Sequence, residues 1–233
     1  MSPRSRGMDK RAGGLGICGS PRRMAKGILC LALLAAVSRP APAFTVAINA
    51  AAPKTVYLQI GLGSFTGQYD SGGTPLNNAT VNKVSVAVGA AVIGNGAAQA
   101  MTTDSTQSNS FYDNFAFCNV PQQLYIGGFY RTTGAGTGTV SVTATAPASL
   151  VDPAGDTIPF SQVSWTTGGN GPLGDSTGQP FTAGTFTGGA VQTVGTIAQN
   201  HWAESCWTFS FRNNTFPAAG TYTGRVLYTL TAP

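Results

Sequence analysis

Toward the end of the chain apolar and polar residues alternate. Trp207, Phe209 and Phe211 share one parity and, beyond the connector NNTFPAAG, Tyr222, Gly224, Val226, Tyr228 and Leu230 share another. A spacing of two turns one set of side chains into a core and leaves the intervening Thr and Arg residues in water. Residues 206–233 therefore read as a strand, a turn-rich connector and a closing strand, a terminal hairpin. Further strand-like runs cover residues 44–50, 54–62, 81–92, 110–120, 122–132, 140–145, 158–165 and 191–197, with Val84, Val86 and Val88 on one face of the third. Residues 61–78, 94–110 and 167–190 are polar or glycine-rich and read as loops, and GAGTG reads as a turn. No run beyond residue 43 has helical periodicity. About eight to ten short strands separated by turn clusters predict an all-β fold, an Ig-like antiparallel β-sandwich.

The first 43 residues follow a different pattern. Arg4, Arg6, Lys10, Arg11, Arg22 and Arg23 stand against the single acid Asp9, and the apolar run GILCLALLAAV precedes SRPAPA. A basic region, about a dozen apolar residues and a small-x-small end describe a secretory signal peptide cleaved after Ala43. The run is shorter than the roughly 20 residues needed to span a bilayer, so no membrane span is expected after cleavage. Residues 24–43 make a complete signal by themselves, which marks Met24 as an alternative start. The expected organisation is a leader over 1–43 and one β-sandwich domain over 44–233, placed in the periplasm, at the cell surface or outside the cell.

This division changes the meaning of the charge. The whole chain is +5, but eight of its 13 basic residues lie in the leader. The remainder keeps Lys54, Lys83, Arg131, Arg212 and Arg225 against seven acids, about −2. No basic stripe is left for nucleic acid. Cys118 and Cys206 are the only cysteines beyond the leader, and in an oxidising compartment the simplest reading is one disulfide. That bond would tie the two halves flanking Asp152-Pro-Ala-Gly-Asp156 together, which favours a turn there over a linker.

Candidate chemistry is thin. His201 and Glu204 stand three apart, a spacing that would share one face of a helix, but Trp202, Cys206 and Trp207 around them indicate a strand. No metal site or cofactor is expected. His201 is the one histidine available as a base and no GxSxG elbow accompanies it, so no catalytic residue is assigned. Asp152, Asp156, Asp175 and Glu204 lie mostly beside Gly and Pro and suit turns better than a carboxylate pair. Among the aromatics, Phe111, Phe115 and Phe117 share parity and read as one buried face, whereas Tyr125, Tyr130, Trp165 and Trp202 are candidates for an exposed row that stacks on sugar rings. Two sequons, at Asn78 and Asn213, would matter in a glycosylating pathway.

The tail PAAGTYTGRVLYTLTAP, behind a small-x-small signal end and a β domain with one cysteine pair, resembles bacterial secreted pilin-like subunits of chaperone–usher type, especially the spore coat U and related families. Their domains end in AGTY followed by an alternating strand. The resemblance implies an incomplete sandwich completed by a strand from the next subunit, with Phe44, Val46 and Ile48 as donor positions. It also implies partners: further copies, other pilus subunits and a periplasmic chaperone. The long cysteine spacing and the large domain depart from a minimal pilin and favour a tip or minor subunit over a shaft subunit. The function expected is that of an exported, non-enzymatic structural or adhesive protein of a fimbrial or cell-surface assembly. The alternatives are a monomeric carbohydrate-binding or adhesion module and a secreted hydrolase with an unrecognised site.

Overall fold

The computed structural model describes residues 45–68, 81–134, 136–169 and 179–231, all of which fall within one compact unit. Its strands, in chain order, are β1 (Thr45–Ala47), β2 (Thr55–Ile60), β3 (Gly63–Gln68), β4 (Val84–Ser85), β5 (Gln99–Ala100), β6 (Thr102–Thr103), β7 (Gln123–Arg131) and β8 (Thr139–Thr145). They continue with β9 (Ser149–Val151), β10 (Thr157–Pro159), β11 (Val163–Gly168), β12 (Gly184–Thr185), β13 (Val191–Ala198), β14 (His201–Phe211) and β15 (Leu227–Thr231). Among the described residues no helix is long and apolar enough to cross a membrane.

An eight-stranded sheet runs β12-β11-β14-β7-β2-β3, with β1 and β5 also paired to β14, and a three-stranded sheet runs β13-β8-β15. Every pair of these strands is antiparallel. The two sheets face each other as a sandwich. Val56, Leu58 and Ile126 of the large sheet meet Val140, Val142, Val194 and Ile197 of the small one in a single buried cluster. At its centre the rings of Trp165 and Trp207 stack 5.0 Å apart and 3° from parallel. Trp165 satisfies its indole N–H by donating to the Thr182 carbonyl at 2.8 Å. Alternation selects these residues, since even positions of β7 and odd positions of β14 point to the same interior.

The last two strands do not form a hairpin. β14 belongs to the large sheet and β15 to the small one, where it pairs only with β8. The reason lies in β14, both of whose edges are taken, one by β7 and β5 and the other by β11 and β1. With no free edge to receive it, the closing strand crosses the sandwich. Residues 212–214 start that crossing. Asn213, at φ 55°, is buried, and its side-chain nitrogen donates to the carbonyls of Val92 (2.8 Å) and Ala97 (3.3 Å) and to Asn95 Oδ1 (3.0 Å). An amide nitrogen engaged in this way is closed to glycosylation. The second sequon, at Asn78, lies outside the described residues.

Three other expectations are corrected. Residues 110–120 form a loop and not a strand, bridged only at Asn109 and Ala116. Residues 63–68, read as loop, are a strand, because β2 turns back at Gly61 (φ 59°) and pairs with the weakly apolar GSFTGQ along its whole length, from Thr55–Gln68 to Ile60–Gly63. The run 158–165 is broken by a 3-10 turn at Phe160–Gln162. In residues 81–92 the alternation persists as half-buried Val84, Val86 and Val88, but only Val84 and Ser85 are laddered. Asp152-Pro-Ala-Gly-Asp156 is the turn of the β9-β10 hairpin, closed by Asp152 Oδ1 accepting from the Asp156 amide at 2.8 Å.

Candidate functional site

The large sheet has a second covered face. On β14 the even residues Trp202, Glu204 and Cys206 point away from the sandwich interior, and residues 108–118 fold over them. The disulfide Cys118–Cys206 fixes one end of this loop, with the Cα atoms 5.5 Å apart. At the other end the amides of Phe117 and Cys118 both donate to the Ser108 carbonyl, at 2.9 and 2.7 Å. Between them a turn closes through Ser110 N to Phe115 O at 2.8 Å, with Asn114 at φ 65°. Asn accepts this left-handed conformation more readily than most residues with a side chain.

Beneath the loop, Phe117, Cys118, Tyr125, Trp202 and Cys206 form a buried cluster against which Val46, Ile48, Tyr57 and Phe129 pack half-buried. Tyr57 stacks on Phe129 at 5.6 Å, on Trp202 at 5.7 Å and on Phe111 at 5.9 Å. Phe111 (57 % exposed), Tyr112 and Phe115 (75 % exposed) rise from the loop into solvent.

One acid sits inside this apolar layer. Glu204 is buried, and its Oε2 accepts three hydrogen bonds: from Tyr125 Oη at 2.7 Å, Trp202 Nε1 at 2.9 Å and Ser110 Oγ at 2.9 Å. Gly127 lies opposite Glu204 in register, and a Cβ there would stand 2.5 Å from the Tyr125 hydroxyl, so glycine makes room for the convergence. Burial pushes the Glu204 carboxyl above its usual range, Asp113 adds to the rise, and the three donors offset it only in part. Burial, reinforced by Glu204, likewise pushes the Tyr125 phenol up. For an acid whose folded value is raised, the associated stability is complete below the ordinary carboxylate pKa and is lost as pH rises through the folded value. Glu204 thus favours the folded state most at acid pH unless a cation joins it.

The other sequence candidates fall into place around these two faces. Tyr125, Tyr130, Trp165 and Trp202 are all buried and form no exposed row: Tyr130 and Trp165 face the sandwich interior, while Tyr125 and Trp202 lie under the loop. Phe111 and Phe115 are exposed and only Phe117 is buried, because a turn, unlike a strand, does not keep parity. Phe44 lies outside the described residues. Val46 and Ile48 flank the outer cluster, with β1 paired in its own chain at Thr45–Ala203, Val46–Trp202 and Ala47–His201. His201 and Glu204, three apart on a strand, point to opposite faces, and His201 Nδ1 sits 2.7 Å from the Gln199 carbonyl. No group of three metal-binding side chains occurs among the described residues.

Glu204 and Ser110 escaped the sequence reading as a site. The available signal was WAESCW, in which an acid shares parity with Trp202 and Cys206 inside a run of buried positions. No protein-family model matches the chain, and neither a curated protein nor a solved structure matches it.

Proposed function

We propose that the chain is an exported, non-enzymatic structural or adhesive protein that works as a subunit of a fimbrial or cell-surface assembly, adding a strand from another subunit at β15. The observation that carries this reading is the outer edge of β15, which has no strand partner among the described residues. Unpaired edges are normally blunted by charge, proline or a bulge. LYTLT has none of these, and Leu227 is 62 % exposed. Beside it Val226 and Tyr228 are only half-buried against the core. An edge of this kind suits β-augmentation, in which main-chain hydrogen bonds give affinity and alternate side chains give register.

The segment holding Val46 and Ile48 serves as the donor in this reading. Donation requires β1 to leave β14, giving up three register pairs and the bond from Ile48 N to Asn200 O at 2.8 Å. So short a strand costs little to release. The test is mass in solution for residues 44–233 with and without residues 44–52. The intact form is expected to associate or to need a chaperone, while the deletion, with its circular dichroism unchanged, stays monomeric. Folded monomers in both preparations would rule out donation by β1.

A monomeric adhesion module is the second reading, favoured by Phe111, Tyr112 and Phe115, which stand exposed on a loop pinned by a disulfide. Such aromatics offer flat apolar faces to a ligand at low entropic cost.

A further inference from the structure

Across the outer face of the large sheet, Trp202, Phe129, Tyr57 and Thr66 stand opposite one another on β14, β7, β2 and β3. Residues in direct opposition share a face. The next row holds Arg131 opposite Thr55. Phe111 and Tyr112 of the loop rise over the first row: Phe111 stacks on Tyr57 at 5.9 Å, and Tyr112 tilts against Trp202 at 6.1 Å. Both are exposed, while Tyr57, Phe129 and Arg131 are half-buried. The result is a ledge, with an aromatic wall on the loop and a floor from β2 and β7.

The wall is held from below. Ser110 Oγ, which donates to Glu204, accepts from the amides of Tyr112 at 3.1 Å and Asp113 at 3.3 Å. The Phe111 amide donates to Tyr125 Oη at 3.3 Å. The buried acid thus anchors the backbone that carries both rings, and rings already fixed lose little freedom on meeting a ligand.

Arg131 gives the floor its charge. Its guanidinium carbon lies 5.7 Å from the centroid of the Phe129 ring. Its Nε is buried without a hydrogen-bond partner, and among the described residues no acid pairs with it. The terminal nitrogens are not sealed off in this way. An unanswered guanidinium is suited to a carboxylate, which it binds through two parallel N–H donors. Asp113, the acid of the wall, repels a negative group from the loop and so favours the Arg131 end. The hydroxyls of Thr55 and Thr66 donate to the carbonyls of Pro53 (2.8 Å) and Val56 (3.3 Å), which leaves both oxygens able to accept.

We propose that this ledge binds a carboxylate-bearing saccharide, with an apolar ring face against Phe111 and Tyr112 and the carboxylate on the terminal nitrogens of Arg131. Flat rings meet the C–H face of the sugar, the threonine oxygens accept from its hydroxyls, and the cation answers its acid. The steps Phe111–Tyr57, Tyr57–Phe129 and Phe129–Arg131 measure 5.9, 5.6 and 5.7 Å, so the ligand is a short oligosaccharide segment and not a single ring. The proposal rests on the adhesive reading of the exposed aromatics. It uses no residue of β1 and is independent of strand addition at β15.

Titration calorimetry of the exported protein at low salt tests it, with trigalacturonate, its methyl ester and triglutamate as probes. Sialyllactose against lactose repeats the comparison, and the pair with the larger margin separates a sialylated surface from a uronic-acid polymer. The acid is expected to bind roughly tenfold tighter than its neutral counterpart, the margin of about one charge-assisted contact. Arg131→Gln is expected to abolish that margin and to leave the neutral sugar's binding unchanged, while Tyr112→Ala weakens both. If Arg131→Gln does not fold, Arg131→Lys, which keeps the charge but not the paired donors, is expected to lose most of the margin. Equal binding of acid and neutral sugar in both pairs, or a margin that survives Arg131→Gln, overturns the role of Arg131 and leaves the adhesive reading standing. Triglutamate binding as tightly as trigalacturonate overturns the saccharide. Failure of every sugar to bind overturns the proposal together with the adhesive reading.

Discussion

Replacing Cys118 and Cys206 by serine is expected to cost about 4–5 kcal/mol of unfolding free energy, the chain-entropy value for a closed loop of this length. The bond joins residues 88 apart, so its loss frees a large part of the unfolded ensemble. A local effect adds to this. The disulfide holds one end of the loop that covers Trp202, Glu204 and Tyr125, and that loop supplies one of the three donors to the buried acid. Without the bond, Phe117 and Trp202 meet water more often. Most domains are stable by only about 5–15 kcal/mol, so the double variant should be near the limit of folding. Urea titration of the oxidised protein against the double serine variant checks the prediction. A midpoint moved by less than a quarter of its value would show that the loop is held by other contacts.

The second large effect belongs to the inner face. Trp207→Ala is expected to destabilise by about 3–5 kcal/mol through the cavity it leaves. The indole is fully buried and touches the rings of Trp165, Phe181, Phe209 and Tyr228, which come from both sheets and the segment between β11 and β12. Its Nε1 is buried without a hydrogen-bond partner among the described residues. Trp207→Phe, which keeps a ring and removes that unpaired donor, is therefore expected to cost clearly less than Trp207→Ala. Thermal unfolding of the two variants decides: equal losses would mean that the retained ring volume contributes nothing and that the full indole, stacked on Trp165, is what the site requires.

Alternation was readable wherever a strand has one wet face. β8, with Val140, Val142 and Ala144 inward, and β7, β13 and β15 fall close to where the pattern puts them. The pattern misled where a second layer intervenes. Residues 202–207 are all buried because the loop 108–118 covers the face that alternation assigns to solvent. The same loop explains the mistaken strand at 110–120: its aromatics alternate, but the Ser110–Phe115 turn and Asn114 break the parity. The hairpin expected of the last two strands failed for a non-local reason, the occupation of both edges of β14. No short-range signal carries that. The site was legible as a cysteine pair but not as a carboxylate centre, because Ser110 lies 94 residues from Glu204 and only folding joins them.

The most direct test of the account is sedimentation of residues 44–233 in oxidising buffer, native and with Leu227→Lys plus Thr229→Lys. Both side chains are exposed on β15, so the charges should leave the fold and the melting temperature unchanged while guarding the edge. The account predicts a native protein whose mass rises with concentration and a double-lysine variant that stays monomeric. A native protein that remains monomeric throughout, or a variant that associates equally well, would contradict strand addition at β15.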